Sequence, residues 1–496
     1  MKLIILCLAP ALPSLLAALH PADAPTLVEP ANDAVTAMSI PHFQWKGAVA
    51  ATPEAMPAYV IQIAADEDFG RVVDEDRLAA VIRWYAPDKE LAPGDYWWRV
   101  ASVGADGKQG PWSAAWKFSV KPPERLFRVS TGANWADIQR TFAEAASHTP
   151  CRVVFDKGDY RLDPGDERQF IRFTVASDLI LDGSGATLTF THPVGLVNLT
   201  RCQRVMVKNF TFDFDPPAYT AGRVVAVDAK AGSIETDILP GHALPEAYPA
   251  FSRDQKGMVV TEADGFAMKR GIQLVVAHAG FERIEGRRFR FRFENAKTAG
   301  LFAVGDVYVL DPRWQAEGGG HGAVVYGGED VVFFNLTLRS AANECLGSFY
   351  ANRHAILHVK LERPPGRALS VNNGGNNHHN ARTGPWIEGC LFENCGDDVC
   401  HVNGLAMAVA EQPAPDQVVI NLGQPFDQFG AEARLDFRAG DRLQFYDRSK
   451  GRLLGERQVV SVMPQAKSLL VGLDRAIEGI KTGRLSRDRN ASGNAL

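Results

Sequence analysis

Between Gly384 and Gly404 the chain reads GPWIEGCLFENCGDDVCHVNG, where a short apolar strand ends on two adjacent carboxylates, Asp397 and Asp398. Glu393 precedes the pair, and His401 and Asn403 follow it. Hydrolysis of a glycosidic bond needs an acid to protonate the leaving oxygen and a base or nucleophile on the other face of the sugar. Adjacent carboxyls suit that work, because each disfavours ionisation of the other and one can keep its proton. The same letters also suit a solvated turn, since Asp side chains at a strand exit hydrogen-bond nearby amides. The element that carries the pair decides between the two.

Just upstream, Val371 to Ala381 reads VNNGGNNHHNA. Asn376, Asn377, His378 and His379 offer hydrogen bonds to sugar hydroxyls, or a histidine proton transfer. A metal site is not expected there: adjacent histidines seldom reach one ion together, and no carboxylate lies beside them. Arg382 either orients a substrate carboxylate or covers apolar surface with its stem. Were the reaction an elimination on a uronate polymer, His378, His379 and Arg382 would matter more than the acids. The run Gly318 to Gly322 lacks the Lys-Ser or Lys-Thr ending of a phosphate cradle. It reads as a tight return into the main fold, with His321 near the cleft, while Trp314 and Tyr350 suit either ring stacking on a sugar or packing.

The elements that must position these residues recur along the chain. Strand-like cores lie at Leu179 to Gly183, Val205 to Phe210, Val331 to Leu336, Ala355 to Val359 and Trp386 to Phe392. Within uninterrupted groups they are spaced by roughly 25 to 30 residues, the signature of a parallel β-helix whose rungs bury one another's apolar faces. Apolar positions at Trp135, Ile138, Phe142 and Ala145 predict a helix that shields the first rung from edge pairing. Two stretches break the period, 218–312 and 411–484; each carries alternating strands and a Gly-Asp phrase (Gly305-Asp306, Gly440-Asp441), and each reads as a small β-barrel-like insert.

Ahead of the helix, residues 25–121 alternate apolar and polar around Phe43, Trp45, Tyr59, Trp97, Trp98 and Trp116, with short strands at sandwich spacing. Lys121-Pro122-Pro123 reads as a stiff linker. Residues 1–24 have Lys2, an apolar run and Ala22-Asp23-Ala24, the pattern of a secretory signal, so the expected location is secreted or periplasmic. Pro10 and Pro13 interrupt that run, so no membrane span is expected. Six cysteines then remain in a long mature chain, too sparse for a disulfide scaffold, and buried thiols are the expectation. The net charge of −5 comes from interspersed signs, and the basic footprint of a nucleic-acid binder is missing.

The segment Asn209 to Pro217 followed by Gly222-Arg223-Val224-Val225, then GDDVCHVNG, then Gly440-Asp441, resembles the β-helical α-1,3-galactosidases of glycoside hydrolase family 110 and related pectin-lyase-like bacterial proteins. The match runs from about Arg125 onward. Residues 25–121 resemble a fibronectin type III domain, through the Tyr96 to Val100 strand and Gly110-Pro111-Trp112-Ser113. The resemblance implies an all-β chain: a β-sandwich followed by a right-handed parallel β-helix in parts 125–217 and 313–410, with two β-barrel-like inserts. It further implies no cofactor, a polysaccharide or oligosaccharide substrate, inverting removal of a terminal α-linked galactose, and catalysis at Asp397 and Asp398. That family carries a third aspartate on the preceding rung; here the matching place falls close to Gly374, with no acid. Its members also continue beyond the point matched by 485–496, so that segment reads as a truncated return to the helix. Three functions follow: a glycoside hydrolase, a polysaccharide lyase, or a carbohydrate-binding protein whose site has decayed.

Overall fold

In the computed structural model, the described residues are 24–47, 58–79, 82–104, 106–247, 256–261, 267–271, 276–310, 321–341, 343–371, 374–404, 407–421, 437–447, 450–465 and 468–483. The signal segment, Trp314, Gly318 to Gly320 and the stretch 485–496 lie outside them. The chain divides into two units, ending and beginning at Lys121 and Pro122.

In the first unit the alternation along Tyr59, Ile61 and Ile63 buries one side of strand Ala58–Ala64 and leaves Val60 and Gln62 half-exposed. That strand pairs antiparallel with Val72–Leu78 and Gly94–Val103. A second sheet is formed by Thr26–Glu29, Phe43–Lys46 and Trp84–Tyr85. Phe43 joins the two sheets, its ring 5.1 Å from Trp98 and 5.4 Å from Phe118 at steep angles. The result is a β-sandwich.

The second unit is a right-handed parallel β-helix. One long sheet stacks Leu126–Val129, Cys151–Phe155, Ser177–Phe190, Gln203–Phe214, Glu329–Phe334, Ala355–Leu357 and Trp386–Glu388 in parallel. In-register columns place like on like: Val153 lies on Leu181, Leu181 on Val207, Val207 on Phe333 and Phe333 on Ile356, all fully buried. Each such side chain contributes about 1.5–3 kcal/mol on leaving water. The helix Trp135–Ala146 is opened by a capping box between Asn134 and Asp137, and it packs Phe142 against Phe155, Phe170 and Phe173 at the first rungs.

The corners of the coil are fixed by polar columns. Asn335 donates to Asn209, which donates to Asp182, and Asn209, Asn335 and His358 all take left-handed backbone angles there. Gly389 continues the column with φ 62, where a Cβ would lie 2.4 Å from His358 Nδ1. At another corner Arg204 forks onto Asp178 and Arg353 onto Asp330.

Both interruptions of the period form antiparallel sheets of their own. The first contains Thr220–Asp228, Ser233–Ile238, Arg288–Arg292 and Asp306–Leu310; the second runs from Val409–Ala414 to Ser468–Leu473. Among the described residues each ladder is an open path, not a closed ring. The first insert is anchored by Tyr219, whose hydroxyl donates to Leu369 O and accepts from Leu369 N, while nearby Arg367 donates to Asp213 and Phe214 O at the end of the coil strand Gln203–Phe214.

Candidate active site

A second parallel sheet of the coil carries the polar strands. Its order is Gln169–Thr174, Gly195–Thr200, Ala323–Tyr326, Leu346–Phe349, Asn376–His379, His401–Asn403. Alternation sends Ala323, Val325, Leu346, Ser348, Asn376 and His378 inward, and Val324, Tyr326, Phe349, Asn377, His379, His401 and Asn403 outward. The Asn-His run is therefore a strand whose two faces do different work. Inside, the Ser348 hydroxyl donates to His378 Nδ1 at 2.6 Å, and His378 Nε2 donates to Asn376 Oδ1 at 2.5 Å. Burial pushes His378 down to about 3, so it is a neutral core histidine. Asn376 and His378 thus lie within the coil, away from its outer surface.

Outside, Tyr326, Phe349 and His379 form a stack, with ring centroids 5.2 Å and then 4.7 Å apart and interplanar angles of 15° and 11°. From its end a chain of contacts leads to the acidic pair. His379 Nδ1 donates to Asn403 Oδ1 at 2.5 Å, and Asn403 Nδ2 donates to His401 Nε2 at 3.2 Å. With Nε2 accepting, the neutral ring carries its proton on Nδ1, which lies 3.7 Å from Asp398 Oδ2. Asp398 is 64% exposed at its side chain, whereas Asp397 is half-buried and accepts from the Asp398 amide through Oδ1.

The same surface holds a carboxyl that the sequence reading passed over. Glu344 stands on the turn leading into Leu346–Phe349, its side chain 20% exposed. Burial raises its pKa, opposed by a hydrogen bond from Asn377 and by His379, and reinforced by Asp397. His321 Nδ1 sits 3.4 Å from Glu344 Oε2, an ion-pair distance without hydrogen-bond geometry. Burial pushes His321 down to about 4 and pushes the Glu344 carboxyl up.

The backbone ladder continues through this turn. Gly322 N donates to Glu344 O, Cys345 N to Gly374 O and Gly375 N to Asp398 O, which puts Glu344, Gly374 and Asp398 in one column on successive turns. Gly374, where the third aspartate was sought, is filled by its neighbour: a Cβ there would lie 2.4 Å from Asn377 Nδ2.

Two candidate residues stand elsewhere. Arg382 donates through both terminal nitrogens to Asp441 Oδ1 at 2.9 and 2.5 Å, tying the second insert to the coil. Glu393 Oε2 accepts from the Arg363 amide at 3.1 Å. Tyr350 follows Phe349 in the next turn, its amide donating to His379 O. Cys151, Cys202 and Cys345 are buried, Cys390 and Cys395 half-buried and Cys400 exposed, all as free thiols. Among the described residues no group of three His, Cys, Asp or Glu is arranged to hold a metal, and no helix is long and apolar enough to cross a membrane.

No protein-family model matches the chain, and no curated protein matches it. Solved structures resemble it weakly. A family 28 exopolygalacturonase from Yersinia enterocolitica is 13% identical over 78% of this chain, with a TM-score of 0.39, and the chain spans 66% of that protein's length. A pectate lyase from Erwinia chrysanthemi, solved with tetragalacturonic acid, is 10% identical over 79% of this chain and 87% of its own, at a TM-score of 0.16. An α-L-rhamnosidase from Streptomyces avermitilis is 24% identical over 20% of this chain and 10% of its own, at 0.15.

Proposed function

We propose that this chain is an exported glycoside hydrolase that removes an α-linked terminal sugar, galactose being the candidate, from a polysaccharide or glycan. Asp397 and Asp398 carry the acid and base chemistry, while Asn377, His379, His401 and Asn403 bind and orient. One observation supports this above the rest: the hydrogen-bonded chain His379, Asn403, His401 brings a ring nitrogen within 3.7 Å of the exposed Asp398 carboxyl, so a fixed polar scaffold faces the acidic pair. Orienting a base in this way is what general acid–base catalysis requires. A lyase role through His378 and Arg382 has less support, because His378 faces the coil interior and Arg382 is engaged by Asp441.

The test is turnover on a panel of α-galactosides, galactans and uronate polymers. New reducing ends without the ultraviolet absorbance of an unsaturated uronate support hydrolysis. Appearance of that absorbance would show elimination, and binding without either product would show a non-catalytic lectin-like protein.

A further inference from the structure

We propose that Glu344, in place of Asp397, is the proton donor of this reaction and Asp398 its base, acting from positions two turns of the coil apart. The proposal rests on the hydrolase reading and deepens it. Two inter-strand steps of about 4.8 Å set the backbones of Glu344 and Asp398 about 9.6 Å apart. Carboxyls separated by about 6.5–9.5 Å leave room for a water beneath the sugar, the geometry of inversion. The intervening residue of the column is Gly374, and the side-chain space over it is taken by the Asn377 amide, which faces Glu344.

The surroundings of Glu344 are those of a donor awaiting a partner. Among the described residues, its Oε2, Asn377 Oδ1 and His321 Nδ1 are buried atoms with no hydrogen-bond partner, and Asn377 is only 7% exposed. Buried polar atoms are normally satisfied, so three orphans meeting on one surface mark where a ligand's hydroxyl or glycosidic oxygen belongs. The groups that face Glu344 are His321, Tyr326, Asn377, His379, Asp397 and His401. Burial and Asp397 favour its protonated form, and Asn377 and the outer histidines oppose that.

In the step itself, the Glu344 proton passes to the glycosidic oxygen as the bond from that oxygen to the anomeric carbon breaks. Asp398 takes a proton from water, whose oxygen bonds to the anomeric carbon from the opposite face. The products are an alcohol and a sugar of inverted configuration, and exchange with solvent returns Asp398 and Glu344 to their starting states.

Leaving-group dependence tests this directly. Glu344→Gln and Glu344→Asp are compared with the unaltered chain on methyl and 2,4-dinitrophenyl α-glycosides of galactose, galacturonic acid and rhamnose, with proton NMR of the released anomer. For Glu344→Gln the expected result is a loss of about 10²- to 10⁴-fold on the methyl glycoside. The loss on the dinitrophenyl glycoside, which leaves without protonation, should be less than about tenfold, and the basic limb of the pH profile should vanish. Glu344→Asp keeps that limb at a lower kcat. Equal losses on both leaving groups in a folded Glu344→Gln, or a first-formed anomer of retained configuration, overturn the proposal while the hydrolase reading stands. If the unaltered chain cleaves none of the glycosides, both fall.

Discussion

Gly374 and Asn377 compete for one volume, and the competition has a measurable size. A Cβ at position 374 would lie 2.4 Å from Asn377 Nδ2 and 3.0 Å from its Cγ, so Gly374→Ala must displace the amide by about 1 Å to reach ordinary contact. Overpacking of that kind costs about 1–3 kcal/mol. Displacement also removes the hydrogen bond that Asn377 gives Glu344, worth about 1.5–3 kcal/mol when the acceptor is ionised. Asn377→Ala alone loses that bond but opens the space, so Gly374→Ala should add almost nothing in its background. A double-mutant cycle by urea unfolding should then show a coupling of at least about 1 kcal/mol, the double variant being more stable than the sum of the singles. The same bond holds the Glu344 pKa down, so each single variant should move the basic limb of the activity profile to higher pH. Additivity within about 0.5 kcal/mol, with an unmoved limb, would refute the packing argument.

Two further outcomes follow from buried rings. His278 is held near 4 by burial between Phe291 and Tyr308, against about 6.5 when unfolded, so its contribution to stability is present above pH 6.5 and is lost as pH falls toward 4. Replacing it by Phe should flatten the acid side of the urea-midpoint profile by up to about 3 kcal/mol, and an unchanged profile would assign the acid sensitivity elsewhere. Phe349, 1% exposed in the stack with Tyr326 and His379, should cost about 3–5 kcal/mol as Ala and lower kcat through a loosened His379, read by thermal melts beside turnover; full stability would contradict the packed stack.

The long sheet was legible because its apolar runs repeat: Leu179 to Gly183, Val205 to Phe210, Val331 to Leu336 and Ala355 to Val359 all fall on it. The second sheet was less so. Its strand Asn376–His379 has no apolar residue, and the inward His378 is satisfied by Ser348 from the preceding turn, a partner 30 residues away. Periodicity reports which residues seek the interior, and a polar pair that satisfies itself there leaves no such trace. Glu344 escaped for a related reason. Its burial is created by residues from three other turns, and the signal that would have found it is the column it shares with Gly374 and Asp398, visible only once the rungs are in register.

The most direct test of catalysis at this surface is Asp398→Asn, a change that keeps shape and removes the charge facing His401. Measured on whichever α-glycoside the unaltered chain cleaves, with melting temperature followed in parallel, kcat should fall by about 10²-fold or more while the fold is retained. A folded variant that keeps full turnover would contradict the assignment of glycoside hydrolysis to this face of the coil.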